Sequence, residues 1–150
     1  MIINYSTINI QAVKTTTDIV FCQDVIKGLR PDLDMNTSVS QVIEMMKEGY
    51  QLLYITDDNN KKAAAFIGFR TLQMLRTGKI IYIDDLFTLA AYRGRGYARA
   101  LLSHVHQQAK ASGVKSVHLD SGYTKHDAHR LYLNKGYILE CLHFANNLQR

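Results

Sequence analysis

Apolar and polar residues alternate along this chain with two periods, and the changes of period mark its elements. Ile8 to Val13 alternates apolar with polar side chains, the pattern of a half-buried strand. From Thr17 to Leu29 the apolar positions Ile19, Val20, Val25, Ile26 and Leu29 have helical spacing, and Gly28 and Pro31 end that run. Ser38 with Gln41 three residues on has the form of a capping box, and Val39, Val42, Ile43 and Met46 then make one helical face that Gly49 closes. Leu52 to Ile55 predicts a strand, Asp57-Asp58-Asn59-Asn60 a turn, and Ala63 to Phe69 the hairpin partner. Thr77-Gly78 turns the chain into the apolar run Ile80 to Leu89. Beyond it, Leu101, Leu102, Val105 and Ala109 form a helical stripe that ends near Gly113, and Val117 to Leu119 is a short strand. Thr124 with Asp127 is a second capping-box pattern, opening a helix through Lys135 to Gly136, and Tyr137 to Phe144 predicts a last strand.

The predicted order is β-α-α-β-β-β-α-β-α-β. Hairpins surround a single strand–helix–strand crossover, so the fold class is α/β (α+β) with a mixed sheet and helices on its faces. The 150 residues make one domain, 1–150, large enough to bury a core without staples. Apolar residues at 47% and charged residues at 21% are ordinary globular composition. Cys22 and Cys141 lack metal-ligand spacing and fit thiols in a reducing compartment. No basic segment followed by an apolar core marks a secretory signal, and no apolar run is long enough for a bilayer, so a cytoplasmic protein is expected. The net charge of +5 admits an anionic partner, but the basic residues are scattered and form no tail for nucleic acid.

Chemistry concentrates after the apolar run, in Arg93-Gly94-Arg95-Gly96-Tyr97-Ala98. A strand that turns through glycines into a helix leaves backbone N–H groups at the positive end of the helix dipole, with no Cβ atoms to hold a phosphate away. That is a cradle for a pyrophosphate. A dinucleotide-binding turn needs a small residue where Arg99 stands, and a Walker loop needs a Gly-Lys-Ser/Thr that does not follow. A turn serving only backbone geometry is the bland alternative.

The same hexapeptide matches Arg/Gln-x-x-Gly-x-Gly/Ala, the signature of the GNAT superfamily of acyl-CoA-dependent N-acyltransferases. Ala128-His129-Arg130-Leu131-Tyr132 with Gly136-Tyr137 resembles a second element of that superfamily, and Asp84-Asp85-Leu86-Phe87-Thr88 looks like the strand before its turn. The resemblance spans roughly Leu52 to Tyr137. It implies a mostly antiparallel sheet with one parallel, splayed strand pair and helices on both faces. It implies acetyl-CoA as the acyl donor, with its pyrophosphate on the amides of Arg93, Gly94, Arg95, Gly96, Tyr97 and Ala98. The pantetheine arm would pair with the backbone of Leu86, Phe87 and Thr88 as an added strand would. Many relatives carry Asn three residues before the alanine of the second element. Here Lys125 stands there, read as a solvated side chain.

N-acetylation needs a neutral amine, an oriented thioester and a proton for the leaving thiolate. A lysine-like amine has a pKa near 10.4, so neutrality at pH 7 costs roughly 4–5 kcal/mol, and a nearby carboxylate can take the proton directly or through water. Asp84 and Asp85 are the candidates. As neighbours on a strand they are expected on opposite faces. Residues 81–87 resemble the corresponding segment of spermidine/spermine acetyltransferases, which implies Asp84 as base or water-positioning acid, with Asp85 as alternative base or substrate contact. By the same resemblance Tyr132 lies beside the CoA sulfur and donates the proton to it. The bland alternatives are strand-end acids satisfied by loop N–H groups or an arginine, and a helix tyrosine packed on the sheet.

Other residues carry weaker signals. His126 and His129 are three apart on a helix but lack a third ligand with clear spacing, so no metal is expected. Asp120 and Ser121 end a strand near the proposed cleft. Nothing marks an activating base for Cys141, which favours direct transfer in a ternary complex over an acetyl-enzyme. The function expected is transfer of acetyl from acetyl-CoA to a primary amine of a small polar molecule. A protein lysine or N-terminus, a non-catalytic acetyl-CoA sensor and a basic nucleic-acid-binding regulator are the rival readings. No membrane partner is expected, and the resemblance allows a homodimer without a sequence seam that requires one.

Overall fold

The computed structural model describes residues 8–149. Five strands, β1 (Gln11–Ala12), β2 (Gln51–Thr56), β3 (Ala63–Met74), β4 (Gly78–Thr88) and β5 (Val117–Leu119), lie side by side in chain order. β1 to β4 pair antiparallel in succession. β5 follows β4 as the parallel pair, and the Ile81 N–H donates to the Ser116 carbonyl where β5 begins (3.2 Å). The helices are α1 (Thr16–Phe21), α2 (Gln23–Leu29), α3 (Ser38–Lys47), α4 (Tyr97–Ala111) and α5 (His126–Asn134). The chain divides into two compact units, one running to His118 and one from Leu119 onward.

Burial in the first unit shows why the sheet needs helices on both faces. Leu52 to Ile55 and Ala63 to Phe69 are buried without a break. A strand covered on one side only would alternate. Leu52, Tyr54 and Phe66 join Val25, Ile26 and Val42 of α2 and α3 in one core. Leu53, Ile55, Ala65 and Ile67 point the other way by the strand pleat. α4 packs on β2, β3 and β4 and contributes buried Leu101, Leu102, Val105 and Ala109. Truncating Leu101 to Ala would cost about 2–5 kcal/mol.

Several local expectations are corrected. The helix expected over Thr17 to Leu29 is two helices, because the Cys22 N–H contacts both the Asp18 carbonyl (3.2 Å) and the Ile19 carbonyl (3.0 Å), tightening the turn. The capping box forms at Thr15 and Asp18, where the Thr15 hydroxyl accepts from the Asp18 N–H and the Asp18 carboxylate accepts from the Thr15 N–H. At Ser38 no box forms: Ser38 is already inside the helix, and its buried hydroxyl donates to the Met35 carbonyl. Thr124 and Asp127 form none either, since α5 opens after Lys125 without a side-chain cap. The strand expected over Tyr137 to Phe144 is absent. The sheet ends at β5, so that backbone has no ladder, and Ile138, Leu139, Leu142 and Phe144 are exposed.

Candidate active site

One irregularity in the β3–β4 ladder builds the acidic centre. Gly68 faces Asp85 and the next residue, Phe69, faces Ile83, which leaves Asp84 as the extra residue of a β-bulge. Pleat alternation was expected to send Asp84 and Asp85 to opposite faces. Instead both line one cavity of about 640 Å³ beside α2 and α3. The bulge re-aims the strand at the point where two acids stand together.

Tyr50 holds that bulge. It is buried, and its phenol occupies the space a Cβ on Gly68 would need, so only glycine fits there. The Tyr50 hydroxyl donates to Asp85 Oδ2 (2.8 Å). Arg30, just past α2, donates through Nε (3.2 Å) and Nη2 (2.8 Å) to Asp85 Oδ1, and Nη2 also reaches the Asp84 carbonyl (3.2 Å). Arg70 forks onto the Asp84 carboxylate, Nε to Oδ1 at 3.1 Å and Nη2 to Oδ2 at 2.9 Å, and its guanidinium lies 5.4 Å from the Tyr50 ring centroid. Sequence reasoning missed Tyr50, Arg30 and Arg70. Arg70 lies 14 residues from Asp84, and only the ladder register brings the two together.

Burial and charge pull against each other here. Burial lifts the Asp84 carboxyl above the ordinary carboxylate range, and the Arg70 fork only partly offsets it. Burial, reinforced by the Asp85 charge, pushes the Tyr50 phenol well above its usual value, so Tyr50 stays protonated and keeps donating. Both oxygens of each carboxylate are engaged, those of Asp85 by Tyr50 and Arg30 and those of Asp84 by Arg70.

The glycine turn opens α4. Gly94 (φ 79°) and Gly96 (φ 80°) are left-handed, a backbone that side chains with a Cβ rarely adopt. A Cβ on Gly94 would project into open space. The N–H groups from Gly94 to Ala98 donate to no backbone carbonyl among the described residues, whereas the Arg93 N–H is already spent on the Ala90 carbonyl (3.4 Å). Arg93 Nε donates to the Thr88 carbonyl (3.2 Å), and its guanidinium lies 5.7 Å from the Phe87 ring centroid. Arg95 pairs with Asp58 (2.9 Å) and covers the Tyr92 ring. The two arginines therefore brace the turn and leave the amides from Gly94 to Ala98 without a backbone partner among the described residues. These groups suit a pyrophosphate.

Leu86, Phe87 and Thr88 face Ile67, Phe66 and Ala65 of β3 along one edge. Three-residue β5 begins beside Ile81, so β4 runs on past it. The Phe87 ring packs against Gly28 so closely that a Cβ there would collide with it.

The second unit carries Tyr132 on α5, half-buried, its ring 5.7 Å from that of Tyr137. Burial raises the Tyr132 phenol above its usual value, which keeps it protonated. His129 Nε2 contacts the Gly122 carbonyl (2.8 Å) and packs edge-on against His126. Among the described residues no group of three metal-ligating side chains occurs. Asp120 is 2.9 Å from His143 Nδ1, and Cys141 is exposed.

Comparison with known proteins matches residues 25–137 to the model of the acetyltransferase (GNAT) family. The chain is 31% identical over 118 residues to YhdJ of Bacillus subtilis (strain 168), described as an uncharacterized N-acetyltransferase, covering 77% of this chain and 82% of that one. It shares its fold with a putative acetyltransferase from Agrobacterium tumefaciens str. C58 (TM-score 0.79, 23% identity, 93% of this chain and 99% of that one). It also shares its fold with AAC(6')-Iy, solved in complex with the bisubstrate analog CoA-S-monomethyl-acetylneamine (TM-score 0.79, 15% identity, 93% and 97%).

Proposed function

Because the chain belongs to the GNAT family of acetyltransferases, we propose that it transfers acetyl from acetyl-CoA to the primary amine of a small molecule, by direct attack in a ternary complex. The bulge that turns Asp84 and Asp85 into one cavity carries this reading. The donor's pyrophosphate rests on the N–H groups of Gly94 to Ala98, and its pantetheine amides pair with the free edge at Leu86, Phe87 and Thr88. The two arginines that brace this turn and its open amides support that placement.

The acceptor enters as an ammonium, drawn to the acid pair. Asp84 takes its proton, directly or through one water, and the raised carboxyl makes Asp84 a better base than an ordinary aspartate. The amine nitrogen attacks the thioester carbonyl, a C–N bond forms and the C–S bond breaks. Tyr132 gives its phenolic proton to the departing thiolate, leaving N-acetylamine and CoA thiol, and solvent then restores both side chains. A tyrosine whose pKa burial has raised keeps that proton until the thiolate needs it. The free thiols Cys22 and Cys141 suit work in the cytoplasm.

Thiol release from acetyl-CoA across a panel of primary amines tests this reading. Turnover with at least one small amine is expected, and Asp84→Asn should lower kcat by about 10²–10⁴-fold. Tight acetyl-CoA binding without turnover on any amine would convert the protein into a sensor.

A further inference from the structure

The cavity that holds the acid pair has two chemically different ends, and its walls point to the body of the acceptor. This inference rests on the acetyl-transfer reading and names its substrate class. At one end stand Asp84, Asp85, Arg30 and Tyr82. Away from them the lining is Leu29, Leu33, Val42, Met45, Leu52 and Phe66, contributed by α2, α3, the loop between them and the sheet.

The two buried hydroxyls of that wall are already used. The Ser38 hydroxyl donates to the Met35 carbonyl, and the Tyr50 hydroxyl donates to Asp85. Gln41 and Asp32 also line the cavity, and both are exposed. An acceptor dense in hydroxyl groups would bury several of them against side chains that offer no partner, and an unpaired buried hydroxyl is costly. A second ammonium lying along Leu29, Val42 and Met45 would lose its water without a partner there, and Asp32, the one further carboxylate of the lining, is exposed to water. Alkyl groups lose nothing there and gain by leaving water.

We propose that the acceptor is a primary amine carried on an apolar body, with the ammonium at Asp84 and Asp85 and an alkyl or aryl chain along Leu29, Val42 and Met45. A cavity of about 640 Å³ has room for a chain well beyond the reacting amine. Aminosugars and short diamines are the disfavoured classes.

The test is a homologous series. kcat/KM is measured with acetyl-CoA for ethylamine, butylamine, hexylamine, 1,4-diaminobutane and glucosamine, and each amine's affinity for the CoA-saturated protein is measured by calorimetry. The expected result is a rise of about threefold to fourfold in kcat/KM per added methylene. Hexylamine should exceed glucosamine, and butylamine should exceed 1,4-diaminobutane, each by at least about tenfold. Met45→Gln and Leu33→Ser should flatten the chain-length slope, and circular dichroism would show both variants folded. Turnover that is flat with chain length, or fastest with glucosamine or the diamine, overturns this assignment and leaves acetyl transfer intact. Affinity that rises with chain length without any turnover supports the assignment and overturns acetyl transfer. Neither binding nor turnover overturns both.

Discussion

A hydroxyl and a missing methyl decide how the acid pair is held. Tyr50 donates to Asp85, supports the Arg70 guanidinium with its ring face and occupies the space above Gly68. Tyr50→Phe keeps the ring but leaves a carboxylate oxygen unpaired, so a stability loss of about 1–3 kcal/mol is expected in denaturant unfolding. Its kcat should fall while the KM for acetyl-CoA stays near wild type, a split that general loosening of the fold would not give. For Tyr132→Phe, kcat is expected to drop about tenfold or more with acetyl-CoA affinity unchanged. Unchanged single-turnover rates would remove Tyr132 from proton transfer. In the kcat profile at saturating substrates, the acid limb should lie above that of an ordinary aspartate, because burial raises Asp84 and the base must be ionised to work. Asp84→Asn should abolish that limb. At this scale the sequence revealed residue types but not their arrangement. Two adjacent aspartates are plain in the chain, but the bulge that aims both into one cavity leaves no mark in composition, and Arg70 and Tyr50 come to them only through ladder register.

Elements were more legible than their ends. The hydrophobic pattern located β2, β4, α4 and β5; β2 buries a continuous run and α4 a stripe, whereas β5 is only half-buried. The ends depended on which of several similar polar residues reaches a free amide, and Thr15 does so where Ser38 and Thr124 do not. The apolar run from Tyr137 onward looked like a strand because alternation says nothing about whether a partner edge exists. Two glycines make element contacts testable. Gly28→Ala places a methyl against the Phe87 ring and should push the end of β4, raising the Kd for acetyl-CoA several-fold in calorimetry. Gly68→Ala should displace Tyr50 and reproduce the kcat loss of Tyr50→Phe in larger measure; wild-type kcat in a folded Gly68→Ala protein would sever Tyr50 from the site.

The molecule as a whole is a family scaffold whose first unit carries a buried thiol and a buried phenol that resist ionisation. Burial pushes the Cys22 thiol up to about 12, while an unfolded cysteine titrates near 8.5. The folded chain therefore keeps a proton that the unfolded chain releases. The stability this contributes is complete below about pH 8.5 and is lost as pH rises towards 12. Thermal melting should fall through that window, and Cys22→Ala, though less stable at neutral pH, should show a shallower decline until Tyr50 adds its share above about pH 10. Family membership was readable in the chain because the glycine turn is contiguous, whereas the acceptor cavity is assembled from segments distant in sequence. The central claim is that a diphosphate is held by the backbone at the start of α4. A titration of ¹⁵N-labelled protein with coenzyme A, followed at the backbone amides, tests it most directly. The largest shifts are expected at Gly94, Arg95, Gly96, Tyr97 and Ala98, and Gly94→Ala should weaken binding about tenfold or more. Saturating binding that leaves those five amides unmoved while others shift would contradict the account.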